Sequence, residues 1–519
     1  MLGSQLALGC FSTDEGVLPS PQQLNFPVGL ALDPSGDRLY VANSDFDLRF
    51  NGGVLQVLDA ARIREFLPAS CSDASPCPSG RSCSFSGGEG STLCVDARGS
   101  ACAELGTQSA VERAQHPGIC APLPLDTQGV VLDAALIAPF VADVKYIPPA
   151  SDGSRGARLV MPVRGDATVH WADVSGSDGK GKELDCGQAA HFAACDARHR
   201  TGDGADEEAP DGDKLPTEPF GIAVTGDGNS VFIGHQSQGK VSVFSNGSKG
   251  LRLESVLTGL PSNPMGLAVV KPPRAAALLG ADYQPGVLVS FRYSNGVPDM
   301  ELLRYHDAAS AAPGNPYLSR SGFAVVTPNG GGFDSRGVAI DSRVRDACEA
   351  ACDEQACAEP TADACNACLL DCATVPLDVY VANRSPHSLL IAQTRASFDA
   401  LGRDDVPNFS DTIALRGGPS RVVVANVTGA SGEPETRVFV VAFNAQLVYV
   451  FDPVTRRLEA HIETGPGPQA LTVDEKRGLA YIAHFTDSYL SVVDLDRRHS
   501  TYARVLLNVG LPQAPRSSK

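Results

Sequence analysis

Pro27-Val-Gly-Leu-Ala-Leu-Asp33, Pro34-Ser-Gly-Asp37, Leu39-Tyr-Val-Ala-Asn43 and Leu55-Gln-Val-Leu-Asp59 follow one another almost without interruption. Three short runs rich in β-branched and aromatic residues are separated by turn chemistry, which reads as an antiparallel set of strands. Pro34-Ser35-Gly36-Asp37 supplies the tight turn between the first two runs.

The unit recurs. Its first strand returns as PFVADV at 139–144, PFGIAV at 219–224, PMGLAV at 264–269, SRGVAI at 335–340, PSRVVV at 419–424 and PQALTV at 468–473. The second strand returns as LVMPV at 159–163, VFIGH at 231–235, LLGAD at 278–282, VYVAN at 379–383, VFVVAF at 438–443 and AYIAHF at 480–485. A third and often a fourth strand follow, as in AHIETG at 460–465 and ARVLLNVG at 503–510. A repeat of this length, in sets of four short strands, predicts an all-β fold with one set per blade of a β-propeller, seven in number. An unclosed array of β-sandwiches is the alternative. One propeller over 26–515 would account for most of a chain of 519 residues, too long for one ordinary core.

Leu39-Tyr-Val-Ala-Asn43, behind the lead-in Gly29-Leu-Ala-Leu-Asp-Pro-Ser-Gly36, and Val379-Tyr-Val-Ala-Asn383 resemble the YVTN-type β-propeller repeat of surface-layer and lactonase-like proteins. The resemblance implies the propeller fold. Its functional content is weaker, because one fold hosts many activities.

Composition narrows the partners. The net charge of −18 argues against nucleic acid, whose phosphates call for a basic surface. Fifteen cysteines point to an oxidising compartment. Apart from Cys10 they fall into three even groups: six from Cys71 to Cys120, then Cys186 with Cys195, then six from Cys348 to Cys372. The first group (Cys71, Cys77, Cys83, Cys94, Cys102, Cys120) sits in an insertion at 60–126 with little apolar periodicity, and disulfides or, less well matched in spacing, zinc would hold it. An acidic insertion at 175–216 carries a Cys186–Cys195 pair. In the insertion at 343–376 the cysteines are mirrored about Pro360, predicting a small helical hairpin with nested pairs Cys348–Cys372, Cys352–Cys368 and Cys357–Cys365. A zinc knuckle is the alternative there.

Leu6-Ala-Leu-Gly-Cys10 resembles a bacterial lipobox. It implies lipidation at Cys10, a flexible tether over 1–25, and a place at the outer membrane or cell surface, or in the periplasm, meeting the membrane only through the anchor; a monomer is expected. No apolar run is long enough for a transmembrane helix.

Motifs for common hydrolases, zincins and phosphate-binding loops are absent. The second strands end on polar residues that a propeller would gather near its channel: Asp45, Arg49, Arg164, Asp166, His235, Asp282, Arg384, His387, His484 and Asp487. They form the expected ligand site, with no catalytic residue assigned. Asp203, Asp206, Asp211 and Asp213 make an acidic loop that suits either Ca²⁺ or simple solvation; no other cofactor is expected. Strand alternation sends the long insertions to one face and leaves the polar ring on the other. The reading is a binding or scaffold lipoprotein, with a lactonase-like hydrolase as the alternative.

Overall fold

The computed structural model describes residues 17–513 apart from 72–76, 87–90, 127–128, 176–182, 190–191, 203–208, 211, 280–282, 295–299, 309–313, 325–332, 356, 358–361 and 396–405. Within these the chain is mostly β. It forms six larger antiparallel sheets and a two-stranded hairpin, in a propeller-like array. The largest has eight strands. It consists of two four-strand sets joined where Arg292 and Ser294 pair with Asp334 and Phe333.

Each set begins with a strand near the centre of the array. These are Pro27–Leu32, Lys145–Ile147, Pro219–Val224, Pro264–Val269, Phe333–Asp341, Pro419–Thr428 and Pro468–Asp474. Neighbours in this series touch from Pro219–Val224 onward, and Pro27–Leu32 touches both Lys145–Ile147 and Pro468–Asp474. Pro219–Val224 meets the second set through Ala157–Val163. The glycine of the Pro-x-Gly lead-in sets the close approach. A Cβ on Gly29 would lie 2.6 Å from the Val144 amide nitrogen, and one on Gly266 would strike the Arg336 carbonyl.

The apolar core lies between adjoining sheets. Leu30, Leu39 and Val41 of the first set pack with Tyr481, Leu490 and Val492 of the last. The other face of the last set packs Ile482 and Val493 against Phe439 and Val441. Alternating side chains are therefore buried on both sheet faces, which explains why the strands read as nearly continuous apolar runs.

Several strands differ from the sequence reading. In the second set residues 139–144 do not form the first strand. They contribute one bridge, Val141 to Val163, and the strand is Lys145–Ile147. Phe140 has φ +61°, and the Asp143 carboxylate takes its own neighbour's amide, so the ladder starts late. In the fourth set the first strand pairs with Gly286–Ser294 and not with LLGAD, whose residues 280–282 lie outside the described residues. Pro272 and Pro273 lack amide donors, and Arg274–Leu278 is a 3₁₀ turn instead. The second strand is Gly286–Ser294, and Met300–His306 and Tyr317–Ala324 complete the set.

The insertion at 343–376 is a pair of helices, Arg343–Gln355 and Ala362–Ala373, carrying Cys348–Cys372, Cys352–Cys368 and Cys357–Cys365. The first insertion has Cys71–Cys83, Cys77–Cys94 and Cys102–Cys120, and the acidic one has Cys186–Cys195. Seven disulfides fit an oxidising, extracytoplasmic environment. No described helix is long and apolar enough to cross a membrane.

The two cysteine-bearing insertions in the first two sets do not simply stack on one face. The first runs along the outermost strand of the last set, Val505–Val509. The Ile119 and Cys120 amides donate to the Leu506 carbonyl, and Leu123 pairs with Val509. The acidic insertion supplies its own set's outer strand in two pieces, Leu184–Asp185 and Arg200–Thr201, both paired with Thr168–Val174. Between these pieces it crosses to the outermost strand of the first set, where Ala194 bridges Leu136. Both insertions cover sheet edges that would otherwise expose unpaired backbone.

Candidate functional site

Six of the seven central strands share a local irregularity. Register shifts fall at Pro27/Gly29, Pro219/Ile222, Pro264/Gly266, Ser335/Val338, Pro419/Arg421 and Pro468/Ala470. A bulge re-aims a side chain. The residue after the lead-in position in each unit is Val28, Phe140, Phe220, Met265, Arg336, Ser420 or Gln469, and every one of them lines one of two adjoining cavities of about 420 and 350 Å³. The cavities share Ala142, Phe220, Arg336, Arg384 and Gln469.

The smaller cavity is the mouth. It holds four arginines, Arg164, Arg292, Arg336 and Arg384, and five phenylalanines, Phe46, Phe140, Phe220, Phe443 and Phe485. Arg336 forks onto the buried Asp334 carboxylate with Nε and Nη2 contacts of 2.5 and 2.8 Å, and Arg292 Nε lies 3.9 Å from the same group. Arg164 reaches Glu218 at 3.2 Å, and Arg384 reaches the Asn444 side-chain oxygen at 3.4 Å. The four guanidiniums thus share the mouth with the Asp334 and Glu218 carboxylates.

The aromatic side is mutually packed. Phe46 stands edge-on to Phe485 at 5.2 Å and to Phe140 at 5.8 Å, and Phe26 backs Phe485 at 5.5 Å. Phe46 itself remains 53% exposed. Its turn has positive φ at Asp45 and Leu48 and is tied by the Phe50 amide donating to Asp45. Burial pushes the Asp45 carboxyl up to about 7, against that amide.

Deeper in, Asp143 is held by Arg421 at 3.1 Å and Lys145 at 3.8 Å. Burial alone would raise its carboxyl, but the two cations and the Val144 amide overcome this and hold it below the usual carboxylate range.

Of the ten residues expected to gather at the channel, Arg164 and Arg384 line the cavity. His235 and His484 do not. Both are fully buried braces inside their sheets. His235 bonds the Thr217 carbonyl and the Ser242 hydroxyl, and His484 bonds the Pro466 carbonyl and the Ser491 hydroxyl. Burial lowers their imidazoles to about 4 and about 3. Asn43 occupies the corresponding place in the first set, bonded to Asn25 and Gln56. The polar strand ends therefore lock a set to its own lead-in rather than facing a ligand.

Asp45 is buried beside the mouth, and Arg49 lies over Phe50. Asp166 bonds His170 and Thr168, and Asp487 bonds His116 of the first insertion. His387 is exposed at the start of its strand. Asp282, Cys10, Asp203, Asp206 and Asp211 lie outside the described residues, and Asp213 accepts the Ala209 amide through its carbonyl. The sequence reading missed Arg292, Arg336 and the phenylalanines. The signal for Arg336 and two of the phenylalanines was the residue after each lead-in proline or serine.

No known family model matches the chain, and no curated protein does. Among solved structures, hydrazine synthase of Kuenenia stuttgartiensis is 10% identical, with 94% of this chain and 100% of that one covered and a TM-score of 0.45. A protein from Lactobacillus plantarum is 14% identical over 87% and 88%, with a TM-score of 0.43. The dihydro-haem d1 dehydrogenase NirN is 13% identical over 76% and 61%, with a TM-score of 0.38.

Proposed function

We propose that this chain is a seven-bladed β-propeller of the YVTN type, exported and tethered by lipid at Cys10 to a bacterial envelope, that binds an amphiphilic organic anion at its mouth. The run of contacts among first strands, with the first strand against the last, supports ring closure. The observation that carries the ligand class is the division of the mouth into guanidiniums and phenyl rings. Guanidiniums fork onto carboxylate, phosphate or sulfonate oxygens, and the rings take an apolar body. Binding is favoured over hydrolysis because two of the three histidines expected at the channel, His235 and His484, are spent as braces within the sheets.

The test is calorimetric titration with naphthalene-2-sulfonate. Saturable binding is expected, weakened about tenfold or more by Arg384→Ala and by replacing the probe with 2-naphthylmethanol. Binding insensitive to both changes would refute the anion site. Lactone turnover abolished by Arg384→Ala would replace binding by catalysis.

A further inference from the structure

A third cavity, of about 290 Å³, lies away from the mouth, between the N-terminal stretch, the outer strand of the first set and the acidic insertion. Its walls include Leu18, Leu136, Ile137 and Ala194, and its polar side chains are Asn51, His170 and Arg200. His170 is 2% exposed. Its Nε2 lies 2.9 Å from the Asp166 carboxylate, which also accepts from Thr168 at 2.6 Å. Among the described residues its buried Nδ1 has no hydrogen-bond partner. Arg200 pairs with His170 across the strands and stands 3.8 Å from Asp166. Asp166 and Arg200 are the charged groups that face the imidazole.

A carboxylate only accepts hydrogen bonds, so Asp166 fixes the proton of neutral His170 on Nε2 and leaves a lone pair on Nδ1. A buried acceptor without a partner costs free energy that a donor would recover. The group that fits must offer a proton to Nδ1 and an oxygen to Arg200, on an apolar body that suits the leucine and isoleucine walls. A carboxyl group carries two oxygens, one for each of these adjacent partners.

We infer that this cavity is a second ligand site, for a short aliphatic carboxylic acid taken up together with one proton. Whether the proton sits on the ligand as O–H or on His170 as Nδ1–H, the bound state holds one more than free imidazole and free carboxylate combined. This site does not depend on the reading of the mouth, whose guanidiniums are permanently charged.

The test is calorimetric titration of full-length Arg384→Ala protein, its mouth weakened, with hexanoate. Saturable binding is expected, with Kd rising about tenfold between pH 8 and pH 9 as the required proton becomes scarcer. Hexylammonium should not bind, and 1-hexanol should bind at least about tenfold more weakly. His170→Gln should abolish the pH dependence. If that variant fails to fold, the pH slope of the parent protein decides alone. A pH-independent Kd, equal binding of 1-hexanol, or no binding would each overturn the proposal. Loss of naphthalene-2-sulfonate binding to the wild type, with hexanoate binding intact, would count against the mouth only.

Discussion

Removing the Cys102–Cys120 disulfide, by Cys102→Ala with Cys120→Ala, tests whether the first insertion acts as a clasp on the last strand set. The bond closes a loop with a sequence separation of 18. Chain entropy for such a loop gives roughly 3 kcal/mol at 25 °C. What it secures is local. Ile119 and Cys120 donate to Leu506 at 3.2 and 3.1 Å, Leu123 donates to Asn508 at 2.8 Å, and Gly510 returns a bond to Leu123 at 2.8 Å. His116 reaches Asp487 at 2.8 Å, and the Asn508 amide bonds the carbonyls of His116 and Pro117. At about 1 kcal/mol each these bonds do not hold a released 18-residue segment in place, so it should open without global unfolding. Amide hydrogen exchange reads this directly. Protection at Ile119, Cys120, Leu123 and Gly510 should fall about a hundredfold, while the Ile482 and Val492 amides stay unchanged. Unchanged protection at the four sites would refute the clasp. An equal loss at all sites would show that the bond supports the whole fold instead.

Two further outcomes follow from packing and titration. Gly266→Ala drives a methyl into the Arg336 carbonyl of the neighbouring central strand, so thermal unfolding should show a loss of about 1–3 kcal/mol, whereas Gly226→Ala, with open space around it and no left-handed backbone, should cost well under about 1 kcal/mol. His235 has an imidazole lowered to about 4 by burial, below its ordinary value, so its contribution is present above pH 6.5 and is lost as pH falls towards 4, by about 3 kcal/mol. His235→Asn, which copies the side chain of Asn43 at the matching place, should flatten that acid limb in urea titrations at pH 7, 5.5 and 4, and an unaltered limb would show that His235 is not its source.

The strand sets were legible because both sheet faces are buried. That burial turns each strand into a short apolar run bounded by turns, as in Leu39–Asn43 and Val379–Asn383. The reading failed where a turn residue mimicked a strand or a proline pair removed donors, at 139–144 and 278–282. The helical hairpin was legible from cysteine spacing, since residues four apart share a helix face. The candidate site was much less so. Asn43, His235 and His484 look like ligand groups in one dimension, yet each reaches backwards to the segment before its own lead-in. Arg292 and Arg336 looked like ordinary strand residues, and only the bulge turns Arg336 towards the cavity. Sequence periodicity reports which face of a sheet is buried. It does not report which end of a strand a bulge twists out of the ladder.

The positions of the cysteines follow from the topology of the chain ends. All strands of the first set come from residues 27–137 and all of the last from 468–509, so no strand is exchanged between them. The joint between them combines apolar packing, led by Leu30, Val41, Tyr481 and Leu490, with a few side-chain bonds such as Arg477 to Asp37 at 2.9 Å. Apolar packing is non-directional and does not by itself fix the register of one sheet on another. The first insertion adds directional bonds to this joint by leaving the first set and pairing with the outer strand of the last. Its segment from Cys102 to Cys120 has few apolar residues and needs a covalent staple to hold that course. The acidic insertion repeats the arrangement one set further on, with Cys186–Cys195 stapling a segment laid on Val131–Ile137. By contrast, the outer strands Asn408–Ala414 and Arg457–Glu463 are polar and largely exposed, and their neighbouring ends carry an Arg456–Asp411 ion pair at 3.4 Å. Charge protects those two edges and needs no cover. Disulfides therefore appear on the insertions laid over apolar outer strands and not on these polar ones, which makes edge protection the physical reason for these two cysteine groups.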